Sequence, residues 1–211
     1  MNTNQYFETV KSYKLLANKS FGQNFLVNPE LAEKIVSELD VQKDDNVLEI
    51  GAGLGSLSYF LAKKPAKSEL IDIDERMLTF LNEQFGENKN ITVKRQNILK
   101  YDLAGFTKII GNLPYYITSG IISHILLSAK NADKIVLMTQ KEVYPKLLKS
   151  FASPLSLFLN YVAEISPTIN VGRNNFQPVP HVDSVVFSLT PNKNIKNPEN
   201  EKLFKLINSM F

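Results

Sequence analysis

The chain has 211 residues, 44% of them hydrophobic and 21% charged, with a formal net charge of +3. That length suits one domain with a small appendage. The lack of cysteine and the presence of only two histidines, His124 and His181, exclude disulfides and thiolate metal centres and argue against a histidine-rich site, so no metal is expected.

No apolar run approaches the roughly 18 residues of a membrane span. Residues 1–19 are polar and lack a signal-peptide core, so a cytoplasmic location is expected. The mild positive charge permits an RNA partner without demanding one. In chain order, the locally basic run from Lys11 to Lys19 comes first. It reads as a solvated tail, or as an arm that orders on RNA. Residues 29–39 read as a helix with Asn28 as N-cap and Pro29 at the first helical position. Asn46-Val47-Leu48-Glu49-Ile50 is a strand, and 54–63 a helix stopped near Pro65. Residues 69–73 form a strand, after which Asp74 caps a helix reaching about Phe85. Strands follow at 91–95 and 108–110, then a helix at about 118–129, a strand at 134–138 and helices at 142–149 and 154–161.

Residues 162–170 and 184–189 read as two terminal strands. The second alternates Val185, Phe187 and Leu189 against Ser188, as an antiparallel hairpin partner would. Residues 191–200, rich in Asn, Lys and Pro, read as a linker. Residues 201–211 begin an amphipathic helix with Leu203, Phe204, Leu206 and Ile207. The alternation implies an α/β fold with a largely parallel sheet and helices on both faces. His124, among Ile121, Ile122, Ile125 and Leu126, reads as a packed or helix-surface residue. His181 reads as solvated, and Lys146 and Lys149 as a solvated helix face.

The segment from Val47 to Ser56 joins a strand, the glycine turn Gly51-Ala52-Gly53-Leu54-Gly55 and a helix start. Glycines allow close backbone approach and positive φ, and a helix N-terminus favours anionic groups. Asp72 ends the next strand, where a carboxylate can meet ribose hydroxyls. The pattern suits any adenosine cofactor. A dinucleotide fingerprint would have glycine at the sixth position, here Ser56; an acidic residue two places before the first glycine, Glu49, is instead usual in S-adenosylmethionine (SAM) methyltransferases. A turn serving only strand–helix packing is the third reading. After the third strand, Gln96 and Asn97 carry side chains able to hydrogen-bond an adenine.

Gly111-Asn112-Leu113-Pro114-Tyr115-Tyr116 follows a β-branched run. An Asn-x-Pro-aromatic tetrad can orient a planar exocyclic amine or amide whose lone pair is delocalised. The Asn112 amide and the Leu113 carbonyl accept from the amine, Pro114 stiffens the turn, and Tyr115 offers a π face for stacking. An ordinary turn built from Asn and Pro is the alternative.

Four segments together resemble the rRNA adenine dimethyltransferase family: Phe21-Gly22-Gln23-Asn24-Phe25-Leu26, Leu48 to Leu57, Asn112 to Tyr115, and Phe176-Gln177-Pro178-Val179-Pro180-His181-Val182-Asp183-Ser184. The resemblance covers roughly residues 12–190, and the last segment is its most specific part. Leu113, Gln140-Lys141-Glu142-Val143 and the Val182-Asp183-Ser184 ending resemble the housekeeping (KsgA-like) branch more than the antibiotic-resistance (Erm-like) branch.

This resemblance implies a Rossmann-like SAM-dependent methyltransferase fold with a mostly parallel seven-stranded sheet. It divides the chain into an N-terminal arm or cofactor lid (1–28), a catalytic domain (29–190), and a linker with the start of a C-terminal helical domain (191–211) that is otherwise absent or truncated. The implied cofactor is SAM, held by Gln23, Asn24, Leu26, Glu49, Gly51, Gly53, Asp72, Asn97 and Asn112. Asn112, Leu113, Pro114 and Tyr115 would be catalytic, with Tyr115 and Phe176 sandwiching the target base. The implied substrate is two adjacent adenosines in the 3′-terminal hairpin of small-subunit rRNA, each methylated twice, within RNA or a pre-small subunit. A monomer is expected.

Three positions depart from the family pattern. Asn97 replaces an aspartate, giving up a charge-assisted bond, Asp72 replaces a glutamate, and Ala152-Ser153-Pro154 stands for a Tyr-Gly pair. Weaker cofactor binding without loss of catalysis is the expected consequence of Asn97, and a shorter reach to the ribose that of Asp72. The rival readings are a protein-glutamine methyltransferase, which the 176–184 segment argues against, an RNA-binding assembly factor without activity, and a resistance-type large-subunit enzyme.

Overall fold

The protein is described by a computed structural model covering residues 2–13, 23–149, 153–192 and 198–211. Among these residues the chain forms nine strands: β1 (Phe25–Leu26), β2 (Asn46–Ile50), β3 (Lys67–Asp72), β4 (Ile91–Arg95), β5 (Lys108–Asn112), β6 (Lys134–Gln140), β7 (Ala163–Val171), β8 (Phe176–Gln177) and β9 (Ser184–Pro191). Seven of them build one sheet in the order β4-β3-β2-β5-β6-β9-β7, and β1 pairs with β8 in a separate ribbon. The first five are mutually parallel, while β9 runs antiparallel between β6 and β7.

The helices are α1 (Thr3–Ser12), α2 (Pro29–Glu38), α3 (Ser58–Leu61), α4 (Glu75–Phe85), α5 (Thr118–Ser128), α6 (Val143–Leu148), α7 (Pro154–Val162) and α8 (Asn200–Ser209). They divide between the two faces because successive strand side chains point to opposite sides. Val47, Ile110, Val136 and Met138 join a core with α1 to α4, whereas Leu48, Ile109, Ile135 and Leu137 join a second with α5 to α8. This is the Rossmann-like, mostly parallel seven-stranded sheet that the resemblance implies. Among the described residues no helix is long and apolar enough to cross a membrane.

Local signals set several boundaries. Asn28 Oδ1 accepts from Leu31 N–H with Pro29 at the first position, and Asp74 caps α4 through Arg76 N–H. Three sequence expectations are corrected. The N-terminal run is not a tail throughout: α1 starts on an Asn2–Gln5 capping box and buries Tyr6, Phe7 and Val10. Its basic remainder, residues 14–19, lies outside the described residues, as do Phe21, Gly22 and Ala152. The helix expected at 54–63 shortens to Ser58–Leu61, because positive φ at Gly55 delays its start. The antiparallel partner expected at 184–189 is β9, which pairs with both β6 and β7 inside the sheet and is buried on both sides. The strand expected at 108–110 continues through Asn112, which places the tetrad's first residue on the sheet.

Candidate active site

The strand order reverses between β2 and β5, whose carboxyl ends open a crevice of the kind that binds ligands in open α/β sheets. Ile50 pairs with Gly111, so the glycine turn and the tetrad emerge side by side. The two strands can close there because position 111 lacks a Cβ, which would lie 2.8 Å from the Ile50 carbonyl oxygen.

The glycine turn is held from several directions. Gly51 and Ala52 N–H donate to the Ile71 carbonyl at 2.9 and 3.1 Å. Gly53 N–H donates to Asp72 Oδ2 at 2.9 Å, and Ser56 Oγ donates to the Leu26 carbonyl at 2.6 Å. Asp72 Oδ1 also accepts from Asp74 N–H at 2.9 Å. Asp72 is therefore a brace between β3 and the turn, as well as a candidate for the ribose contact. Burial raises its pKa against these lowering bonds. Glu49 is 2% exposed and accepts from Ser58 Oγ at 2.6 Å. Burial, opposed by the Ser58 bond and helped by Asp72's charge, pushes its carboxyl up to about 8.

The tetrad leaves β5 with Leu113 N–H donating to the Met138 carbonyl at 2.9 Å. Pro114 stays extended (φ −66°, ψ 132°), and a 3₁₀ turn, Tyr115–Ile117, leads into α5. Thr118 Oγ1 donates to the Pro114 carbonyl at 3.1 Å and closes the turn. Asn112 Nδ2 donates to the Asn24 carbonyl at 3.2 Å. That bond fixes the side-chain amide and turns its Oδ1 to the opposite side, as an acceptor.

These elements enclose a cleft of about 300 Å³, at the small end of the range for ligand pockets. All nine expected cofactor residues, Gln23, Asn24, Leu26, Glu49, Gly51, Gly53, Asp72, Asn97 and Asn112, line it, together with Leu113 and Pro114. Asn97 Oδ1 already accepts from Leu99 N–H at 3.0 Å. Tyr115 is described by its backbone, at the start of the 3₁₀ turn.

Phe176 is not brought into the cleft. Its ring is 1% exposed, on a β8 residue paired with Leu26 of β1, and belongs to the core shared by α1 to α4. His124 bonds through Nε2 to the Tyr101 carbonyl at 2.8 Å, away from the site, and His181, Lys146 and Lys149 are exposed.

Sequence reasoning missed several lining residues. Phe25 and Met138 contribute from β1 and β6, and Ile73, Leu99 and Tyr116 line the cleft while staying exposed. An exposed aliphatic pair beside Asn97 is a surface that a flat heterocycle would cover. Its only sequence signal is an apolar residue just after a strand or turn.

Among the described residues the lining carries two acidic side chains, Glu49 and Asp72, and no Lys or Arg. A dinucleotide's pyrophosphate would meet two acids there without a cation. A cationic sulfonium or ammonium group instead meets carboxyl oxygens that accept from it, and a cation beside Glu49 would favour release of the proton that burial makes it hold. The residues present thus fit SAM better than a dinucleotide.

Comparison with known proteins agrees. The family model described as ribosomal RNA adenine dimethylase matches residues 14–211. The chain is 37% identical to ribosomal RNA small subunit methyltransferase A of Levilactobacillus brevis, over 94% of this chain and 73% of that protein. It is 34% identical to the protein of the same name in Malacoplasma penetrans, over 95% and 75%. Among solved structures, a dimethyladenosine transferase from Plasmodium falciparum superposes with a TM-score of 0.77 at 29% identity, covering 85% of this chain and 68% of that one. The 23S rRNA methyltransferase ErmE superposes with a TM-score of 0.74 at 26% identity, covering 87% and 77%.

Proposed function

The chain belongs to the ribosomal RNA adenine dimethylase family, SAM-dependent enzymes that methylate rRNA, and on that premise we propose that it dimethylates the exocyclic amines of two adjacent adenosines in the 3′-terminal hairpin of small-subunit rRNA. The relatives named above as small-subunit methyltransferases support that choice of subunit, as do Leu113 and the Val182-Asp183-Ser184 ending.

The observation that carries the reading is the anchored Asn112 at the mouth of an acid-lined cleft. When bound, SAM supplies a methyl group on a positively charged sulfur. Gly51, Gly53 and Asp72 would hold its nucleoside side, with Asn97 at the adenine, and Glu49 would face its cationic part. Asn24, Leu26 and Gln23 would cover it. The target adenosine is unstacked from its loop and inserted beside the tetrad.

Asn112 Oδ1 and the Leu113 carbonyl accept from the N6 amine and aim its lone pair into the cleft. By its place in the motif, Tyr115 stacks on the base and favours cationic charge growing on the amine by about 1 kcal/mol. Catalysis is mainly positioning, a term that can supply up to ~7–11 kcal/mol. Base stacking by Phe176 belongs to this proposal only if β8 uncovers its ring when RNA binds.

The test is methyl transfer from labelled SAM to small subunits purified from a strain lacking the modification, with nucleoside identification. Dimethyladenosine in the small-subunit rRNA supports the proposal. SAM binding without transfer to small subunits, but with transfer to large-subunit rRNA, would overturn it in favour of the resistance-type reading. An absence of SAM binding would favour an inactive RNA-binding factor.

A further inference from the structure

The glycine turn has an outer side that the cleft does not account for, and one buried hydroxyl occupies it. Tyr6, on the N-terminal helix α1, is 1% exposed. Its Oη donates to the Leu54 carbonyl at 2.8 Å and also lies 3.1 Å from the Gly55 carbonyl oxygen. The ring is fixed by stacking on Tyr59 at 4.5 Å between centroids and 27° between planes, with Phe7, Phe80 and Phe85 at its edges. The Gly55 oxygen has a second donor in Tyr59 N–H at 2.9 Å. The Leu54 oxygen, on a residue 1% exposed, takes its donor from Tyr6.

A peptide unit is planar, so fixing its oxygen fixes its N–H on the opposite side. We propose that Tyr6 is a positioning residue for the cofactor: its hydroxyl holds the carbonyl ends of the peptide planes at Leu54 and Gly55, the first of which is held at its other end by Gly55 N–H donating to the Ala52 carbonyl at 2.8 Å, and so shapes the turn that lines the cleft. This rests on the reading that the cleft holds SAM. The geometry is reciprocal. A Cβ at Gly55 would lie 2.6 Å from Tyr6 Oη, so the tyrosine and the glycine occupy one space. Burial, and next the charge of Glu49, raise the phenol's pKa well above its ordinary value, so it remains a donor at neutral pH.

Tyr6→Phe keeps the ring and its stacking and removes only the donor. The buried Leu54 carbonyl then lacks its partner, and the turn must reorient to satisfy it. Val10→Ala is the control: it loosens the same helix at a buried apolar residue whose side chain can make no hydrogen bond to the turn. SAM affinity by calorimetry, and KM for SAM and kcat with small subunits as substrate, are measured well below each variant's unfolding temperature. Tyr6→Phe should weaken SAM binding roughly tenfold, raise KM for SAM in step and leave kcat within about twofold. Val10→Ala should lower the unfolding temperature without moving KM for SAM. If Tyr6→Phe binds SAM like the unaltered protein, or Val10→Ala weakens binding equally, the inference is overturned while the cofactor reading stands. Failure of the unaltered protein to bind SAM would overturn both.

Discussion

Asn112 and Asn24 are 88 positions apart in the chain, yet the side-chain amide of the first donates to the backbone carbonyl of the second at 3.2 Å. The bond joins the strand that carries the tetrad to the segment that covers the cleft. It also orients Asn112, since an amide whose NH2 is engaged presents its oxygen on the other side.

Asn112→Ala should therefore separate binding from chemistry. The cleft keeps its glycine turn and carboxylates, so SAM affinity should fall only a few-fold. Methyl transfer should drop by about 100-fold or more, because the amine loses its alignment. Single-turnover transfer rates at saturating SAM check this, and a rate within a few-fold of the unaltered enzyme would refute the mechanism.

Glu49 gives the protein a pH signature. In the folded state its carboxyl titrates near 8, against an ordinary value of 4.5. Between those values the folded protein holds a proton that the unfolded chain has released, so Glu49's contribution is full below about pH 4.5 and is lost as pH rises towards 8. Asp72, also raised by burial, acts with the same sign. Asp74, lowered chiefly by its bond with Arg76, acts oppositely but only as pH falls through the acid range. Unfolding temperatures of the cofactor-free protein should decline from pH 5.5 to 8, and Glu49→Gln should flatten the decline. An unchanged slope in that variant would show that Glu49 does not titrate in this range.

Gly55→Ala should destabilise the fold. The residue sits at φ +71°, and an added Cβ would lie 2.6 Å from Tyr6 Oη and 2.8 Å from the Phe85 ring. Strained backbone of this kind costs about 1–3 kcal/mol. Denaturant unfolding measures it. Adding Tyr6→Phe should recover only part of the loss, because the φ strain and the Phe85 contact remain.

Phe176→Leu distinguishes a packing role from base stacking. Trimming a ring that is 1% exposed should cost about 1–3 kcal/mol of stability. It should also weaken SAM binding modestly, since Leu26, its partner in the ribbon, lines the cleft. A rise in KM for RNA alone, with stability unchanged, would mean that the ring meets the base in the complex.

Much of the molecule was legible because local chemistry suffices to specify it. Asn28 and Asp74 cap their helices through bonds to N–H groups two or three residues on, and such bonds are available to the chain before it folds. The β-branched segments at 46–50 and 91–95 became strands with those same bounds, the first between two parallel partners and the second on the edge of the sheet beside β3. The tetrad's Asn112, Leu113 and Pro114, the glycine turn and the nine residues expected around the cofactor all line one cleft, the part of that expectation that the structure bears on.

Other features depend on what the strands bring together. Tyr6, Phe7 and Val10 are three apolar residues in a polar, partly basic stretch, and only the aromatic cluster on α3 and α4 gives them a place to be buried. Phe176 carried a motif's promise of an exposed face, but pairing of β8 with β1 turned it into the core. The sequence by itself determined most of the strands and helices and supplied the residue types that the proposed reaction calls for, because those depend on neighbours along the chain. Only the tertiary structure decided that Asn24 orients Asn112, that Tyr6 grips the glycine turn and that Glu49 keeps its proton near neutral pH. Packing and exclusion of water are properties of the assembled sheet, not of any one segment.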